Sequence, residues 1–344
     1  MLIFLISFLP TAAPRLVELN VSGIISLTPS CLRDIRALRE LQVLDISGCS
    51  RIDDWRALLY GGRNPHIRKL ILTDEVEDIT DQHVDILAET YPNIQNLELS
   101  VTASENFGGQ SLISLVHKCP KLRRLRLRVA GSAVLMTSIP SLRNLSELCL
   151  DIHGGIFDEP SLINLAYNCP NLTSLCFSVP HNDPVPYFMT DATLELLTEL
   201  CPKLRRLQIF CDLLSPIGLR AVTKFSHLTY LSLTGPKLCN ANMKAIALNS
   251  PKLTHFALIS PEKLTESAKI STLFKGLDNL KRVELVLDVF TDKDLEAIGR
   301  YCPKLEHVEL FAQWNFPLTL MSLVRNCKAL KSLKLAQGAS LRFL

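Results

Sequence analysis

The stretch Phe290–Leu310 reads FTDKDLEAIGRYCPKLEHVEL and combines a helix pattern with a strand pattern. Thr291 is a predicted helix N-cap, with Asp294 three residues later in the capping-box position. Pro303 disfavours helical geometry at the residue before it, so we expect the helix to end there. Between these limits, four apolar or small residues recur at helical spacing and predict one buried face: Leu295, Ile298, Gly299 and Cys302.

The second half of the stretch predicts a short strand. Leu305, Val308 and Leu310 form the pattern L-x-x-V-x-L, in which Val308 and Leu310 alternate with polar residues as in a strand with one buried face. One helix and one strand cannot bury their apolar faces alone. We therefore expect copies of the unit to stack side by side.

Copies of this unit run through the chain. Three of them are ITDQHVDILAETYPNIQNLEL at Ile79–Leu99, FDEPSLINLAYNCPNLTSLCF at Phe157–Phe177 and MTDATLELLTELCPKLRRLQI at Met189–Ile209. The first apolar residue of the strand motif, which we call the anchor, occurs at Leu16, Leu41, Ile67, Ile94, Leu122, Leu145, Leu172, Leu204, Leu228, Leu253, Leu280, Leu305 and Leu330. A repeat of this length with this motif is typical of a leucine-rich-repeat solenoid. The sequence thus predicts an α/β horseshoe with parallel strands on the concave face and helices on the convex face.

The predicted solenoid takes up nearly the whole chain. We expect residues 14–335 to form about thirteen repeats, with a partial repeat helix at residues 1–13 and a tail at residues 336–344. The first ten residues, MLIFLISFLP, also fit a signal peptide, although no basic segment precedes them. The longest repeat interval holds Val179–Phe188, whose three prolines predict an extended loop.

The recurring pattern T-D-x-x-L-x-x-L-x-x-x-C-P-x-L-x-x-L-x-L resembles the cysteine-containing subclass of leucine-rich repeats. That subclass is typical of F-box/LRR substrate receptors of cullin-based ubiquitin ligases and of antagonist-of-mitotic-exit proteins. The resemblance implies a protein substrate or peptide on the concave face, and a cullin-ligase linker subunit as a further partner if an F-box lies upstream. No F-box precedes Pro14 here, so a stand-alone scaffold or inhibitor-type binding protein remains the alternative.

The composition limits the classes of partner. The net charge is +3 over 344 residues, which is small for a nucleic-acid-binding protein, and the apolar run at the N-terminus is too short to span a bilayer. We therefore expect neither nucleic acid nor membrane as a partner. No nucleotide-binding, metalloprotease or nucleophile-elbow motif occurs, so we expect no enzyme activity, no cofactor and no metal.

The 11 cysteines show no paired spacing. Five of them occupy one repeat position, three residues before an anchor: Cys119, Cys169, Cys201, Cys302 and Cys327. A metal or redox array is one interpretation of this position, and small buried residues at helix ends is the other. Free buried thiols favour a reducing compartment, so we expect a cytoplasmic or nuclear location.

The predicted binding surface consists of the residues that alternate with the buried ones along each strand. Thirteen strands at a spacing of about 4.8 Å give a face on the order of 60 Å long, which suits a folded partner or an extended peptide. Arg124, Arg126 and Arg128 lie on one predicted strand and Arg206 lies three strands later. They can bind a phosphate or carboxylate group, or the first three can pair with Glu98, Glu147 and Asp151 on neighbouring strands. A second set of candidate contacts is aromatic or imidazole: Phe210, Tyr230, His255, His307 and Phe311. Phe210 and Phe311 can equally turn inward to close the core.

Overall fold

The computed structural model describes residues 2–49, 55–59, 62–73, 79–101, 110–130, 142–153, 159–178, 189–211, 213–235, 239–260, 270–289, 292–313 and 317–336. The chain divides into two compact units, Met1–Asn171 and Leu172–Leu344. The predicted extended loop Val179–Phe188 lies outside the described residues, as does the predicted N-cap Thr291.

The first unit alternates helices and strands. Its described strands are β1 (Glu18–Asn20), β2 (Val43–Asp45), β3 (Lys69–Leu72), β4 (Asn96–Val101), β5 (Arg124–Ala130) and β6 (Glu147–His153). They pair in parallel and in chain order. Its described helices are α1 (Leu2–Ala12), α2 (Pro29–Arg36), a 3-10 helix at Trp55–Leu58, α3 (Asp81–Thr90), α4 (Gln110–Lys118) and α5 (Glu159–Asn168).

The second unit repeats the same plan. Its described strands are β7 (Ser174–Ser178), β8 (Arg206–Phe210), β9 (Tyr230–Thr234), β10 (His255–Ser260), β11 (Arg282–Val289), β12 (His307–Gln313) and β13 (Ser332–Ala336), again parallel and in chain order. Its described helices are α6 (Asp191–Leu200), a 3-10 helix at Gly218–Lys224, α7 (Asn240–Asn249), α8 (Ile270–Phe274), α9 (Asp292–Tyr301) and α10 (Pro317–Asn326).

The predicted repeat is confirmed in both units. Each described strand begins two residues after its anchor. In the repeat that ends at Leu310, the anchor Leu305 and the strand residues Val308 and Leu310 are all fully buried. Leu295 and Ile298, on the inner face of α9, are buried as well. The core therefore lies between the strands and the helices, and the fold is an α/β leucine-rich-repeat solenoid.

Helix ends follow the local sequence. The residues after α3, α6 and α7 are Tyr91, Cys201 and Ser250, with φ near −120° and ψ of 62°, 59° and 52°. Each of them precedes a proline, which disfavours the helical region. These residues occupy the cysteine position of the repeat, so the predicted end of the helix is confirmed where the structure describes it.

Residues at the cysteine position hold successive repeats together, and none of the 11 cysteines forms a disulfide bond. Tyr91 donates its hydroxyl to the carbonyl of Leu58, one repeat earlier, at 2.8 Å. The thiols of four cysteines lie within 3.2 to 3.6 Å of a carbonyl oxygen one repeat earlier: Cys119 with Ala88, Cys169 with Leu142, Cys302 with Leu277 and Cys327 with Cys302. The packing interpretation of this position therefore accounts for these residues.

The Thr-Asp pair at the helix start also has a structural role. Thr80 accepts a hydrogen bond from the backbone N–H of His83 at 3.4 Å and caps α3. The next residue, Asp81, reaches the following repeat, where it accepts bonds from the backbone N–H and hydroxyl of Ser111 at 3.2 and 2.7 Å. In another repeat, the carboxylate of Asp294 accepts a bond from the backbone N–H of Ser271 in the preceding repeat, while its predicted capping-box partner, Thr291, lies outside the described residues.

Residues 2–12 form a helix, as the repeat interpretation predicts. α1 packs against α2, and its residue Ile6 is buried. Two other residues of the same helix, Leu5 and Phe8, are about two-thirds exposed. No described helix is both long and apolar enough to cross a membrane.

Candidate functional site

The candidate binding surface in each unit is the open face, which we define as the side of the sheet that carries the outward-pointing strand residues. On the first unit this face carries Arg124, Arg126 and Arg128 along β5. They lie in register with Glu147, Cys149 and Asp151 of β6. The parallel pairing places the three guanidinium groups directly beside two carboxylates.

These arginines pair with the neighbouring acids. Arg124 Nε lies 2.8 Å from Glu147 Oε1. Arg126 donates from Nε and Nη2 to Asp151 Oδ2 at 3.3 and 3.2 Å, and Arg128 Nε lies 3.9 Å from the same oxygen. The sequence allowed these arginines either to bind an anionic group of a partner or to pair with acids on neighbouring strands. In the structure they pair with acids of the neighbouring strand.

Asp151 is the central group of this cluster, because its side chain is only 8% exposed. Partial burial lowers the pKa of Arg126, but the charges of Asp151 and Cys149 outweigh it, and the pKa lies above its ordinary value. Arg124 and Glu147 are more exposed, at 57% and 40% of their side chains. The Asp151 pairs are therefore the better shielded from water and salt.

The second unit carries a different arrangement on its open face. The first outward position of five successive strands holds Arg206, Tyr230, His255, Arg282 and His307, which the strand register places side by side. We call these five residues the cationic–aromatic row. Guanidinium and ring side chains are enriched at the energetic centres of protein interfaces.

Close contacts order one end of this row. The guanidinium carbon of Arg206 lies 3.6 Å from the centre of the Tyr230 ring, within cation–π range. Arg206 Nε also donates to the sulfur of Cys176 at 3.3 Å. The rings of Tyr230 and His255 are 6.0 Å apart and inclined by 32°. These contacts hold three flat side chains in a stack across β8, β9 and β10.

His255 has a defined hydrogen-bonding role. Thr254 donates its hydroxyl to the carbonyl of Thr229 at 3.1 Å, so its oxygen is left to accept from His255 Nδ1 at 2.9 Å. Nε2 is then the acceptor of the neutral ring. Partial burial lowers the pKa of His255, and the charges of Arg282 and Arg206 lower it further.

The second outward position holds the acids. Glu309 of β12 is buried and binds two cations, Arg282 Nη2 at 2.7 Å and Lys334 Nζ at 3.3 Å. Glu284 lies beside it in register on β11. Burial raises the pKa of Glu284, and the charge of Glu309 raises it further, against the opposing charges of Arg282 and Lys334.

The third outward position is mainly apolar. Phe210 is 8% exposed and Val286 is 4% exposed, so both side chains are buried although they alternate with core residues. Phe311 is half-buried and lies inside β12. Phe210 is therefore covered on the open face, and Phe311 keeps part of its surface accessible.

The structure sorts the predicted binding residues into two groups. Arg124, Arg126 and Arg128 belong to the first unit, and the other six, Arg206, Phe210, Tyr230, His255, His307 and Phe311, belong to the second. The sequence did not single out Arg282 and Glu284 of β11. The strand motif offered a signal for Arg282, because it places that residue in register with His255 and His307. It offered none for Glu284, whose register neighbours are Ala257 and Glu309. Among the described residues, no cluster suited to a metal ion occurs.

Solved structures share this fold. The internalin InlF of Listeria monocytogenes aligns with a TM-score of 0.51, covering 98% of this chain and 95% of that one at 17% identity. The yeast Rad7–Elc1 complex contains a chain that aligns with a TM-score of 0.50, covering 90% and 87% at 16% identity. This chain has the leucine-rich-repeat fold. At such low identity, the two structures show the fold alone.

No protein-family model matches this chain, and the curated relatives it is similar to are F-box/LRR proteins. GRR1-like protein 1 of Arabidopsis thaliana is 26% identical over 291 residues, which cover 74% of this chain and 44% of that protein. F-box/LRR-repeat protein 17 of the same plant is 26% identical, with 60% and 34% covered. Coronatine-insensitive protein homolog 2 of Oryza sativa is 24% identical, with 63% and 38% covered.

The chain thus spans less than half the length of the curated relatives it matches. The similarity supports a leucine-rich-repeat scaffold that binds protein.

Proposed function

We propose that this chain is the target-recognition part of an F-box/LRR receptor of a cullin-based ubiquitin ligase, and that it binds its protein target on the open face. The observation that supports target binding is the cationic–aromatic row. Sheet stability does not require rings and guanidinium groups at five successive outward positions. The similarity to F-box/LRR proteins supports the ligase role.

The experiment compares the intact tagged chain with two tyrosine variants in cells treated with a proteasome inhibitor. Tyr230→Ala removes the ring beneath Arg206 on the open face. Tyr167→Ala is the matched control, because Tyr167 is 73% exposed on helix α5. Proteins that co-purify with the wild type and with Tyr167→Ala should fall at least tenfold with Tyr230→Ala. Circular dichroism melting of each variant confirms that the loss is not due to unfolding.

The ligase role has its own readout. A cullin-ligase linker subunit should co-purify with the receptor, and the captured target should gain half-life when the receptor is depleted. If the chain captures a target, but the linker subunit does not co-purify and the target half-life does not change, the chain is a stand-alone scaffold. Equal capture by Tyr230→Ala and the wild type would exclude the cationic–aromatic row as the binding site.

A further inference from the structure

Three side chains of the cationic–aromatic row have polar atoms that bind nothing else in the described part of the chain. His255 uses Nδ1 to donate to Thr254, and its Nε2 has no hydrogen-bond partner there. The Tyr230 hydroxyl and both ring nitrogens of His307 have none either. Solvent reaches all of these atoms, since none of them is enclosed in the protein. They are therefore available to a bound ligand.

Contacts and strand register bring His255 close to two guanidinium groups. The Tyr230 and His255 rings lie 6.0 Å apart, and the guanidinium group of Arg206 lies over the Tyr230 ring. Arg282 is in register with His255 on the other side. It uses Nη2 to bind Glu309, and its side chain remains 42% exposed. His255 therefore lies between an arginine on β8 and an arginine on β11.

The second outward position is closed at this point of the sheet. Ser232 and Ala257 follow Tyr230 and His255 by two residues and are only 2% and 5% exposed. A ligand group over β9 and β10 therefore meets the two rings and reaches no deeper. The accessible polar atoms of these two strands lie at the first outward position.

The largest charges that act on His255 are all positive. Burial lowers the pKa of this residue most, and the positive charges of Arg282, Arg206, His307 and Lys281 lower it further. A cluster of cations around an accessible ring gives a positive potential, which attracts an anion and repels an ammonium or guanidinium group. The chemistry of the row therefore suits an anionic ligand group.

The turns that lead into strands β8 to β13 add positive charge along the border of the row. Each turn runs from two residues before the anchor to one residue after it. These turns hold two acids, Asp278 and Glu306, and seven exposed cations: Lys203, Arg205, Lys252, Lys281, Lys304, Lys328 and Lys331. Glu306 is already bound by Lys281 and Lys331. Because the whole chain has a net charge of only +3, this excess is local, and it suits a short acidic segment of a protein better than a nucleic acid.

We propose that the cationic–aromatic row binds an anionic side chain, a carboxylate or a phosphate, from an acidic segment of the target, and that this group lies over Tyr230 and His255. The proposal rests on the proposed function and names the chemistry of the target. His255 takes up a proton from solvent at Nε2, and the new N–H donates a hydrogen bond to the anion. Arg206 and Arg282 supply positive charge on either side.

Protonation of His255 provides a readout that a purely structural histidine would not give. A bound anion opposes the surrounding cations, so the pKa of His255 should rise on binding. Affinity should therefore increase as the pH falls through the pKa of His255 in the complex, and it should level off below the lower pKa of the free protein. The charged and titratable groups that face His255 from the neighbouring strands are Arg206 on β8, Tyr230 on β9, Lys281, Arg282 and Glu284 on β11, and His307 and Glu309 on β12.

Glu284 is the group on these strands that can act in the same direction. Burial and the charge of Glu309 raise its pKa, so it too loses negative charge as the pH falls and then repels an anion less. The variant His255→Gln separates the two effects, because it keeps Glu284 and removes only the titration of the imidazole.

The test selects a displayed library of random peptides against the intact chain and then measures the affinity of the selected peptides. We expect aspartate or glutamate to be enriched at one peptide position, and replacing it with its amide should weaken binding at least about tenfold. The acidic peptide should bind the wild type at least about fivefold more tightly at pH ~5.5 than at pH ~8, but His255→Gln less than about twofold. NMR of the His255 ring in the wild type should show the rise in pKa on binding.

The same peptides distinguish the two sources of the anion. Phosphoserine replaces the acidic residue, and binding is measured at pH ~8, where the phosphate carries nearly two charges. Tighter binding than that of the carboxylate assigns the position to a phosphorylated residue, and weaker binding assigns it to aspartate or glutamate. Both results support an anionic group at this position.

The control variant is His117→Gln, since His117 is an exposed histidine of helix α4 in the first unit. It should keep the full dependence on pH. Four results would overturn the proposal: no selected peptide, selection of basic or neutral peptides, an unchanged pKa of His255 on binding, or equal competition by a single-stranded oligonucleotide. None of these results depends on a linker subunit or on target half-life, so failure here is distinct from failure of the ligase role.

Discussion

Replacing Asp151 with asparagine removes the charge that holds two arginines of the first unit. The carboxylate is 8% exposed and contacts Arg126 at 3.2 Å and Arg128 at 3.9 Å. Asparagine has the same shape, so the change removes charge without leaving a cavity. We expect the β5–β6 pair to become less stable while the fold is retained.

The magnitude follows from burial. A hydrogen bond to a charged group contributes roughly 1.5–3 kcal/mol when it is shielded, whereas an exposed ion pair contributes about 0.2–1 kcal/mol. The carboxylate is buried, but the side chains of Arg126 and Arg128 are 47% and 39% exposed. We therefore expect a loss of about 2 kcal/mol. Glu147→Gln breaks the exposed pair with Arg124, and its cost should stay below about 1 kcal/mol.

Amide hydrogen exchange measures this difference locally, which matters because a long repeat protein need not unfold in one step. Amides of β5 and β6 should exchange roughly 30-fold faster in Asp151→Asn and at most about fivefold faster in Glu147→Gln. Similar rates in the two variants, or wild-type rates in Asp151→Asn, would refute the structural pairing of these arginines. They would then be available for an anionic partner, as the sequence allowed.

Three further predictions concern single groups. Tyr91→Phe removes the buried donor to the carbonyl of Leu58 and should lower the free energy of unfolding by about 1–2 kcal/mol in a denaturant titration; no change would show that water replaces the hydroxyl. Burial raises the pKa of Cys119 to about 12, so iodoacetamide should label it far more slowly in the native chain than in concentrated guanidinium, and equal rates would contradict its burial. The pKa of Glu284 is raised in the folded state, so folding favours its protonated form. The ionised carboxylate therefore lowers the free energy of unfolding as the pH rises above the pKa of Glu284 in the unfolded chain. This loss is complete once the pH exceeds the pKa of Glu284 in the folded protein. Glu284→Gln should therefore raise the melting temperature at neutral pH and leave it unchanged near pH ~4, and an increase at both values would point to a cause other than charge.

The strand positions were predictable to the residue because the anchor and its spacing depend only on local patterns. Leu305 and Val308 must be buried for a strand and helix to form a core, and the proline after the cysteine position limits the helix. The Thr-Asp pair was less predictable. The threonine caps its own helix, as Thr80 shows, but the aspartate bonds to another repeat, and that partner lies 30 residues away.

The candidate binding surface was predictable as a set of positions and not as a set of contacts. The motif places Arg206 and Tyr230 on one face, but their stacking at 3.6 Å depends on side-chain rotamers. The same limit applies to the acids. Glu284 and Glu309 occupy equivalent positions on adjacent strands, yet Glu309 binds both available cations and Glu284 binds neither. Only the three-dimensional arrangement shows which of the two carboxylates is ion-paired.

The described side-chain bonds of five residues at the cysteine position run in one direction. Tyr91, Cys119, Cys169, Cys302 and Cys327 each have their carbonyl partner in the repeat that comes before them in the chain. A ribosome produces the N-terminal part first, and folding during synthesis begins there. Each new repeat therefore emerges next to a finished one that already presents its acceptor. The growing chain can serve as its own template, one repeat at a time.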